Sequence, residues 1–483
     1  MAYSPSSSQV YQTERRQRWD TVSRETLARG RRTGRFYHAL LQRYYRSLVP
    51  PGLTVLELGC GHGDLLDSLR PALGVGVDFS YPMVEHARKT HPHLSFICAD
   101  VHHIELKIRF DVIILSDLVN DLWDVQSVLA RLASCCHAGT RVIINFFNNM
   151  WKIPMALARR YHLSVDMMEQ NWLTPGDIVN LLHLTGYEFI RSETRILWPV
   201  YIPVLSRMLN RYLIHLPPMN WFGLTNFIIA RPSPLQDTAA RPASPLVSII
   251  IPARNEAGNI ETLLEKTVIP GHRTELIFVE GGSNDGTYKT IQRAIEDCPG
   301  QKNCRLIRQT GKGKGDAVRA GFQEAKGDLL MILDADLTVP PETLALFVAA
   351  LTSGKGEFIN GVRLVYPMES QSMRFLNMAA NKMFSFLFSW LIGQPVKDTL
   401  CGTKALWKKD YDIMSKEPDG FSALDPFGDF DLLINAARLN LKIVDLPVRY
   451  RRRRYGTSNI KRVAHGWLLL KMIVHATRRL KFI

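Results

Sequence analysis

Two aspartates one residue apart, Asp334-Ala-Asp336, follow the apolar run Leu329-Leu-Met-Ile-Leu333. At the end of a strand, such a pair can hold Mg2+ or Mn2+ through oxygen ligands. The cation then bridges phosphates and neutralises charge on a departing nucleoside diphosphate. Acid pairs also occur in ordinary turns, so the segments before this one carry the weight. Val247-Ser-Ile-Ile-Ile-Pro252 reads as a buried strand ending in Ala-Arg-Asn255-Glu256. Glu275-Leu-Ile-Phe-Val-Glu280 reads as a second, running into the turn-rich Gly281-Gly-Ser283-Asn-Asp285-Gly-Thr287. Gly311-Lys-Gly-Lys314-Gly315 offers exposed backbone amides and two cations, which suit a diphosphate.

The first half carries a different loop. Thr54-Val-Leu-Glu57-Leu58 is followed at once by Gly59-Cys-Gly61-His-Gly63-Asp64 and a helical stretch, Leu65 to Leu69. Glycines between a strand and a helix let the backbone approach a bound nucleotide closely. The next strand, Gly74-Val-Gly-Val-Asp78, ends in an acid 19 residues after Gly59, the spacing at which a carboxylate reaches ribose hydroxyls. A dinucleotide fingerprint needs GxGxxG and sets a pyrophosphate on the helix N-terminus. Here the glycines run GxGxG and Asp64 stands sixth, repelling phosphate but tolerating a cationic sulfonium. The loop favours S-adenosylmethionine.

These residues need elements to position them. At about 150 residues per domain, a chain of 483 residues predicts two to three domains. Its 46% hydrophobic and 22% charged composition is globular, apart from the Ser-rich first nine residues. Four prolines mark residues 231–246 as a semi-extended linker between a last strand, Leu224–Ala230, and a first strand from Val247. Strands alternate with helical patterns on both sides, so an α/β domain is expected at 1–230 and another at 247–483. No internal repeat relates them.

Residues 40–230 resemble a class I methyltransferase, a Rossmann-like fold. Glu57, Gly59, Gly61 and Gly63 match its first motif and Asp78 its ribose-binding acid. Ala99-Asp100-Val101 resembles the segment whose aspartate bonds the adenine amino group, and Phe110–Asp117 the fourth strand, which faces the methyl group. Asp117, Asn120 and Asp121 then follow the fourth strand and Asn145, Asn148 and Asn149 the fifth, at the carboxyl edge where ligands bind. Asp117 is a candidate base for a hydroxyl acceptor, with helix capping as its structural alternative. His91/His93 and His102/His103 read as surface histidines.

Residues 246–460 resemble the family-2 inverting glycosyltransferases of GT-A fold, particularly the dolichol-phosphate-mannose-synthase-like branch. Pro252, Asn255 and Glu256 match its opening nucleotide-binding motif, Lys314 its GKG lysine, and Asp334/Asp336 its metal pair. Asn360-Gly-Val-Arg363 is similar to its GSR segment, whose arginine contacts acceptor phosphate. Asp398–Lys404 is similar to its DxxSGF element, and Arg453-Arg-Tyr-Gly456-Thr-Ser458 to its RxxGxS motif. The usual DDGSxDGT is here Glu280-Gly281-Gly-Ser283-Asn-Asp285-Gly-Thr287. Glu280 can still accept from a base but Gly281 cannot, which leaves the nucleotide open. Thr338 stands where relatives often carry Gln.

The resemblances imply a bifunctional transferase using S-adenosylmethionine, Mg2+ or Mn2+, and a nucleotide-diphospho-sugar donor. A single active half, with the other as a binding module, is the alternative. A sugar hydroxyl acceptor needs a base, for which Asp429 in Gly428-Asp429-Phe-Asp431 is the candidate. A polyprenyl phosphate needs cations, for which Arg363, Arg374 and Arg451–Arg454 stand ready. The net charge of +15 suits phosphates or an anionic membrane, and without zinc-finger, basic-zipper or RNA-recognition signatures no nucleic-acid partner is expected. Seven cysteines without a CxxC pair and the lack of a signal-peptide pattern predict a cytoplasmic chain. The uncharged stretch Met383–Val396 is short of the ~20 residues that span a bilayer. Phe384–Ile392 and Trp467–Val474, with Arg478, Arg479 and Lys481, read either as core helices or as peripheral membrane contacts.

Overall fold

The computed structural model describes residues 5–29, 34–160, 168, 170–234, 244–297, 303–366, 375–416, 425, 428–453, 455 and 462–482. The chain divides into two compact units, Met1–Thr238 with Lys481–Ile483, and Ala239–Leu480. Both are α/β, as the strand–helix alternation predicts. Arg374, Arg454 and 456–458 of the arginine-run and RxxGxS readings lie outside the described residues.

In unit 1, strands β1 (Thr54–Leu58), β2 (Leu73–Asp78), β3 (Ser95–Cys98), β4 (Phe110–Ser116), β5 (Cys136–Phe147), β6 (Tyr187–Arg195) and β7 (Thr225–Pro232) form one sheet. Its order is β3-β2-β1-β4-β5-β7-β6. β1 to β5 run parallel, with aliphatic cores on both faces. Parallel strands are buried on both sides, which is why β1 and β4 read as continuous apolar runs rather than alternating ones. β7 lies antiparallel between β5 and β6. Its amino end, Thr225, therefore sits at the edge where β4 and β5 end. β7 runs on through Arg231 and Pro232, which composition puts in the linker; Arg231 is buried and bonds Glu188 at 2.6 Å. The Ser-rich start is likewise helical from Pro5, in a helix reaching Arg29.

Unit 2 repeats the principle with β8 (Val247–Ala253), β9 (Thr274–Glu280), β10 (Asn303–Arg308), β11 (Leu329–Ile332), β12 (Phe358–Val362), β13 (Lys404–Trp407) and β14 (Ile443–Pro447). Their order is β10-β9-β8-β11-β13-β12-β14, with β13 antiparallel to both neighbours. That reversal brings the loop 398–403 to the edge where β8, β11 and β12 end. Helices Phe375–Ile392 and Arg462–Leu480 pack together over this sheet. Phe388, Leu391, Leu469 and Met472 are buried in the core, while Phe386 and Trp467 stay exposed. Each helix is thus core on one face only. Among the described residues no helix is long and apolar enough to cross a membrane, and no disulfide forms; Cys135 and Cys136 are free and buried.

One carboxylate locks the opposite edge of this sheet. Glu275 of β9, fully buried, accepts from the Ser248 hydroxyl of β8 and from Lys326 N at 2.6 Å, just before β11. Arg305 of β10 sits 3.0 Å away. Burial alone would raise its pKa, but these donors outweigh burial and hold it below the usual carboxylate value. Glu275→Ala strands the Ser248 hydroxyl and the Lys326 amide and removes a carboxylate partner of Arg305, and is expected to cost unit 2 about 3 kcal/mol in denaturant unfolding. Because the folded pKa is depressed, this stabilisation is present above about pH 4.3 and is lost as pH falls through the folded value. The wild-type advantage over the variant should therefore shrink in acid, and an advantage that stays constant would contradict the assignment.

Candidate active sites

In unit 1 the loop after β1 and the end of β2 come together. Gly61 N donates to Asp78 Oδ2 at 2.9 Å, and Ser80 N to Asp78 Oδ1 at 2.9 Å. Asp78 is buried, and burial raises its pKa against these amide bonds. In this arrangement Asp78 braces the glycine loop. Gly63 has φ +81°, and a Cβ there would meet Phe96 Cζ at 2.7 Å, so only glycine fits this turn. Glu57 is buried with Oε2 lacking a hydrogen-bond partner among the described residues. Burial pushes its carboxyl well above the ordinary range. An orphaned buried acceptor at this loop fits a cationic ligand such as S-adenosylmethionine, whose ammonium could donate to it. Asp100 accepts from His102 Nδ1 at 2.7 Å, and this outweighs burial to lower its pKa. His91 is buried between Asp64 and Asp67, each 3.5 Å away. The surface-histidine reading is therefore corrected for His91 and His102, whose rings brace the site's acids.

Asp117 directly follows β4 with φ +54°, an uncommon backbone state for a residue other than glycine. Tyr37 Oη donates to it at 3.0 Å, and Asn145 Nδ2 at 2.6 Å. Tyr45 Oη donates to Asn145 Oδ1 at 2.6 Å, and Tyr37 also meets Thr225 Oγ1 at 3.2 Å. Burial, partly offset by these bonds, pushes Asp117 up to about 7. A carboxyl held at that value can take up a proton near neutrality. Sequence reasoning named Asp117 and Asn145 and missed Tyr37 and Tyr45. Both tyrosines lie on helix Arg35–Leu48, mostly ahead of the recognised motifs and with no motif of their own.

The N-terminal helix adds more that sequence reasoning passed over. Ser80 Oγ donates to Asp20 at 2.5 Å, Ser23 meets His62 of the glycine loop at 3.2 Å, and Arg15 lies 3.4 Å from Asp121.

In unit 2, seven segments converge on one edge. Lys314 Nζ lies 2.5 Å from Asp334, whose pKa it lowers against the effect of burial. Arg453 reaches Asp336 at 2.6 Å and Glu256 at 3.4 Å. Burial nevertheless raises Glu256 to about 7. Thr338 donates through N and Oγ1 to Asp336 Oδ1, so the threonine in place of the usual Gln orients the second acid. Arg363 forks onto Asp398 at 2.8 and 2.9 Å, using two of its five N–H groups. That partnership outweighs burial and holds Asp398 at about 2. Asp429 is buried 3.8 Å from Lys404, its pKa raised by burial. Gly315 is required where it stands, because a Cβ would strike Asp425 O at 2.8 Å and Gly428 N at 2.9 Å.

Other sequence-named residues hold loops together. Asn255, at φ +58°, donates its backbone N–H to Ser283 Oγ at 2.9 Å and accepts from Asn284 N at its Oδ1. Asp285 accepts from Thr287 N and Ala257 N, and Tyr455 Oη lies 3.3 Å from it. Pro252 lies near the end of β8. Glu280 accepts from Ser283 N at 2.5 Å. A Cβ on Gly281 would meet Gln309 Oε1 at 2.9 Å, so Gln309, which no motif marks, fills the space of the missing aspartate. Of the two glycine-loop cations only Lys314 turns inward, and Gly311 N is bonded to Asp316 rather than exposed to a ligand. Among the described residues no group of three or more His, Cys, Asp or Glu side chains is gathered for a metal. Asp334 and Asp336 offer hard carboxylate oxygens, the donor type that suits Mg2+ or Mn2+.

Two consequences are measurable. Tyr37→Phe removes a bond that lowers the Asp117 pKa, so its carboxyl should titrate above about 7; the carboxyl 13C shift reads this, and an unchanged midpoint would refute the network. Mn2+ seated on Asp334 and Asp336 would have to displace Lys314 and Arg453 from the carboxylates. Arg453→Gln should therefore tighten Mn2+ roughly tenfold in calorimetry without donor, whereas weaker binding would show the arginine to be no competitor.

The geometry agrees with what comparison finds. A methyltransferase domain model matches residues 16–192, and the glycosyl transferase family 2 model matches residues 248–413. Dolichol-phosphate mannosyltransferase of Pyrococcus furiosus is 29% identical over 243 residues, 49% of this chain and 64% of that one. Undecaprenyl-phosphate 4-deoxy-4-formamido-L-arabinose transferase of Proteus mirabilis is 29% identical over 218 residues, 44% of this chain and 62% of that one. The chain thus spans less than two thirds of either relative. Among solved structures, an S-adenosylmethionine-dependent methyltransferase from Mesorhizobium loti aligns with TM-score 0.31 at 18% identity, covering 38% of this chain and 94% of its own. Glucosyl-3-phosphoglycerate synthase from Mycobacterium tuberculosis, with Mn2+ and uridine diphosphate, aligns with TM-score 0.38 at 20% identity, covering 49% and 81%. The chain thus joins a methyltransferase domain, matched at residues 16–192, to a glycosyl transferase family 2 domain, matched at residues 248–413.

Proposed function

We propose that the chain is bifunctional. Unit 1 moves a methyl group from S-adenosylmethionine, and unit 2 moves a sugar from a nucleotide diphosphate to a polyprenyl phosphate. The observation that carries the second half is the pairing of Asp334, Asp336, Asp398 and Asp429 at the unit 2 edge with Lys314, Arg453, Arg363 and Lys404 in turn. That much positive charge on one edge suits two phosphate-bearing substrates. Asp334 and Asp336 would hold the divalent cation, which supplies charge neutralisation on the leaving diphosphate. Lys314 would contact the same diphosphate, and Arg363, held by Asp398, would orient an acceptor phosphate. A phosphate acceptor already carries its nucleophilic oxyanion. Asp429, buried and with a raised pKa, would be the base only for a glycan hydroxyl. The relatives named for dolichol and undecaprenyl phosphates favour the phosphate.

In unit 1, Glu57, the glycines 59, 61 and 63, Asp78 and Asp100 would hold the cofactor, and Asp117 would take the acceptor's proton. Unit 2 would bind its nucleotide through Pro252, Asn255, Glu256, Glu280 and Asp285, with Arg453 released from Asp336 to close on the donor. The work would lie at the cytoplasmic face of a membrane that bears the acceptor.

Calorimetric titration of S-adenosylhomocysteine, UDP and GDP with Mn2+ into the whole chain tests this. Asp78→Ala should lose only the adenosyl ligand, and Asp334→Ala should lose at least tenfold in affinity only for a nucleoside diphosphate. Absence of diphosphate binding in the wild type would leave unit 2 as an acceptor-binding module.

A further inference from the structure

Unit 1 exposes an apolar surface that its chemistry does not use. Between β6 and β7 the chain leaves the sheet, and eleven of the large apolar side chains exposed among the described residues lie between Trp198 and Phe222. Tyr201, Val204 and Trp221 are 65, 75 and 64% exposed. The segment is continuous with two others. The Phe36 ring meets Tyr201 edge-on at 5.5 Å, Trp151 Nε1 donates to Phe222 O at 2.8 Å, and Asn148 Nδ2 donates to Trp221 O at 2.9 Å. On the helical segment that follows Asn149, Ile153 and Leu157 are also exposed. A contiguous apolar surface of this kind marks a docking site rather than a tolerated scatter of residues.

The charges specify what docks. From Ile196 to Ala230 the chain carries Arg207 and Arg211 and no Asp or Glu. Helix Arg35–Leu48 carries three arginines and no acid, and residues 149–160 carry Lys152, Arg159 and Arg160 and no acid. Arg43 lies close enough to Arg211, Arg207 and Arg46 for their charges to repel its own. Like charges gathered without carboxylates are relieved by an anionic partner. Exposed Trp and Tyr among arginines suit a phospholipid interface, with rings at headgroup depth and guanidinium groups on lipid phosphate. Since no described helix is able to cross a bilayer, the segment would lie on the surface.

We infer that residues 196–222, with the exposed faces of 35–48 and 149–160, seat unit 1 on an anionic bilayer. Phe36 adjoins Tyr37, the donor to Asp117, so the seated face borders the carboxyl edge of the sheet. That the seat presents a lipid-borne methyl acceptor to Asp117 rests on the methyl-transfer reading; the binding itself does not.

Co-sedimentation of the whole chain with vesicles of phosphatidylcholine, with and without phosphatidylglycerol, tests the inference. The wild type should partition onto anionic vesicles and release with salt. Tyr201→Ser/Val204→Ser/Trp221→Ser should lose about tenfold or more in partitioning, and Lys152→Glu/Arg207→Glu should lose roughly tenfold on anionic vesicles only. Phe386→Ser/Trp467→Ser in unit 2 serves as the comparison. Loss confined to that unit 2 variant, or equal partitioning of all forms, overturns the inference. Thermal melting by circular dichroism checks folding, and if the apolar variant does not fold, the charge reversal decides alone. Concentration-dependent self-association that the same substitutions abolish, without vesicle binding, would assign the surface to a second copy and also overturn it.

Discussion

Lys314 on Asp334, Arg453 on Asp336 and Arg363 on Asp398 are three answers to one constraint. A carboxylate taken out of water must be neutralised by a proton, a cation or amide donors, or it destabilises the fold by several kcal/mol. Both units gather acids at the carboxyl edge of a buried parallel sheet, so both must solve this problem in the same place. Unit 2 solves it with cations. Unit 1 uses amides on Asp78 and phenol and carboxamide donors on Asp117. The choice of neutraliser sets the chemistry each edge can do. A cation-filled edge is ready for phosphates, whereas an acid held near neutrality by neutral donors is ready to exchange a proton.

The demands of these edges reach the backbone at two positions. Asp117 and Asn255 sit at positive φ because their side chains and main chain must both reach across to a neighbouring strand end. Strain at such positions persists only where the surroundings over-determine it, as the Tyr37–Asn145 and Ser283–Asn284 contacts do here. The antiparallel strands β7 and β13 serve the edges in a similar way. Each delivers its amino end where the parallel strands deliver their carboxyl ends, supplying Thr225 to one site and Lys404 to the other.

Much of both sites was legible in the chain because glycine and acid spacing reflects backbone requirements that few other residues meet. The loop at 59–63 needs positive φ at three glycines, and the Asp334/Asp336 spacing is local. Tyr37, Asp20 and Gln309 were not legible. A tyrosine on an amphipathic helix looks like core, and its bond to Asp117 spans 80 residues of chain. Gln309 matters only because Gly281, from a different strand, leaves room for it.

By itself the sequence determined that there are two α/β halves and which acids and glycines follow several of their strands, because periodicity and turn chemistry are short-range properties. The tertiary structure alone decided which cation neutralises which acid, that His91 and His102 face inward, and that three acid-free segments share one surface. Those pairings join residues that only strand order brings together, and the desolvation that sets their protonation arises only when the sheet edges close.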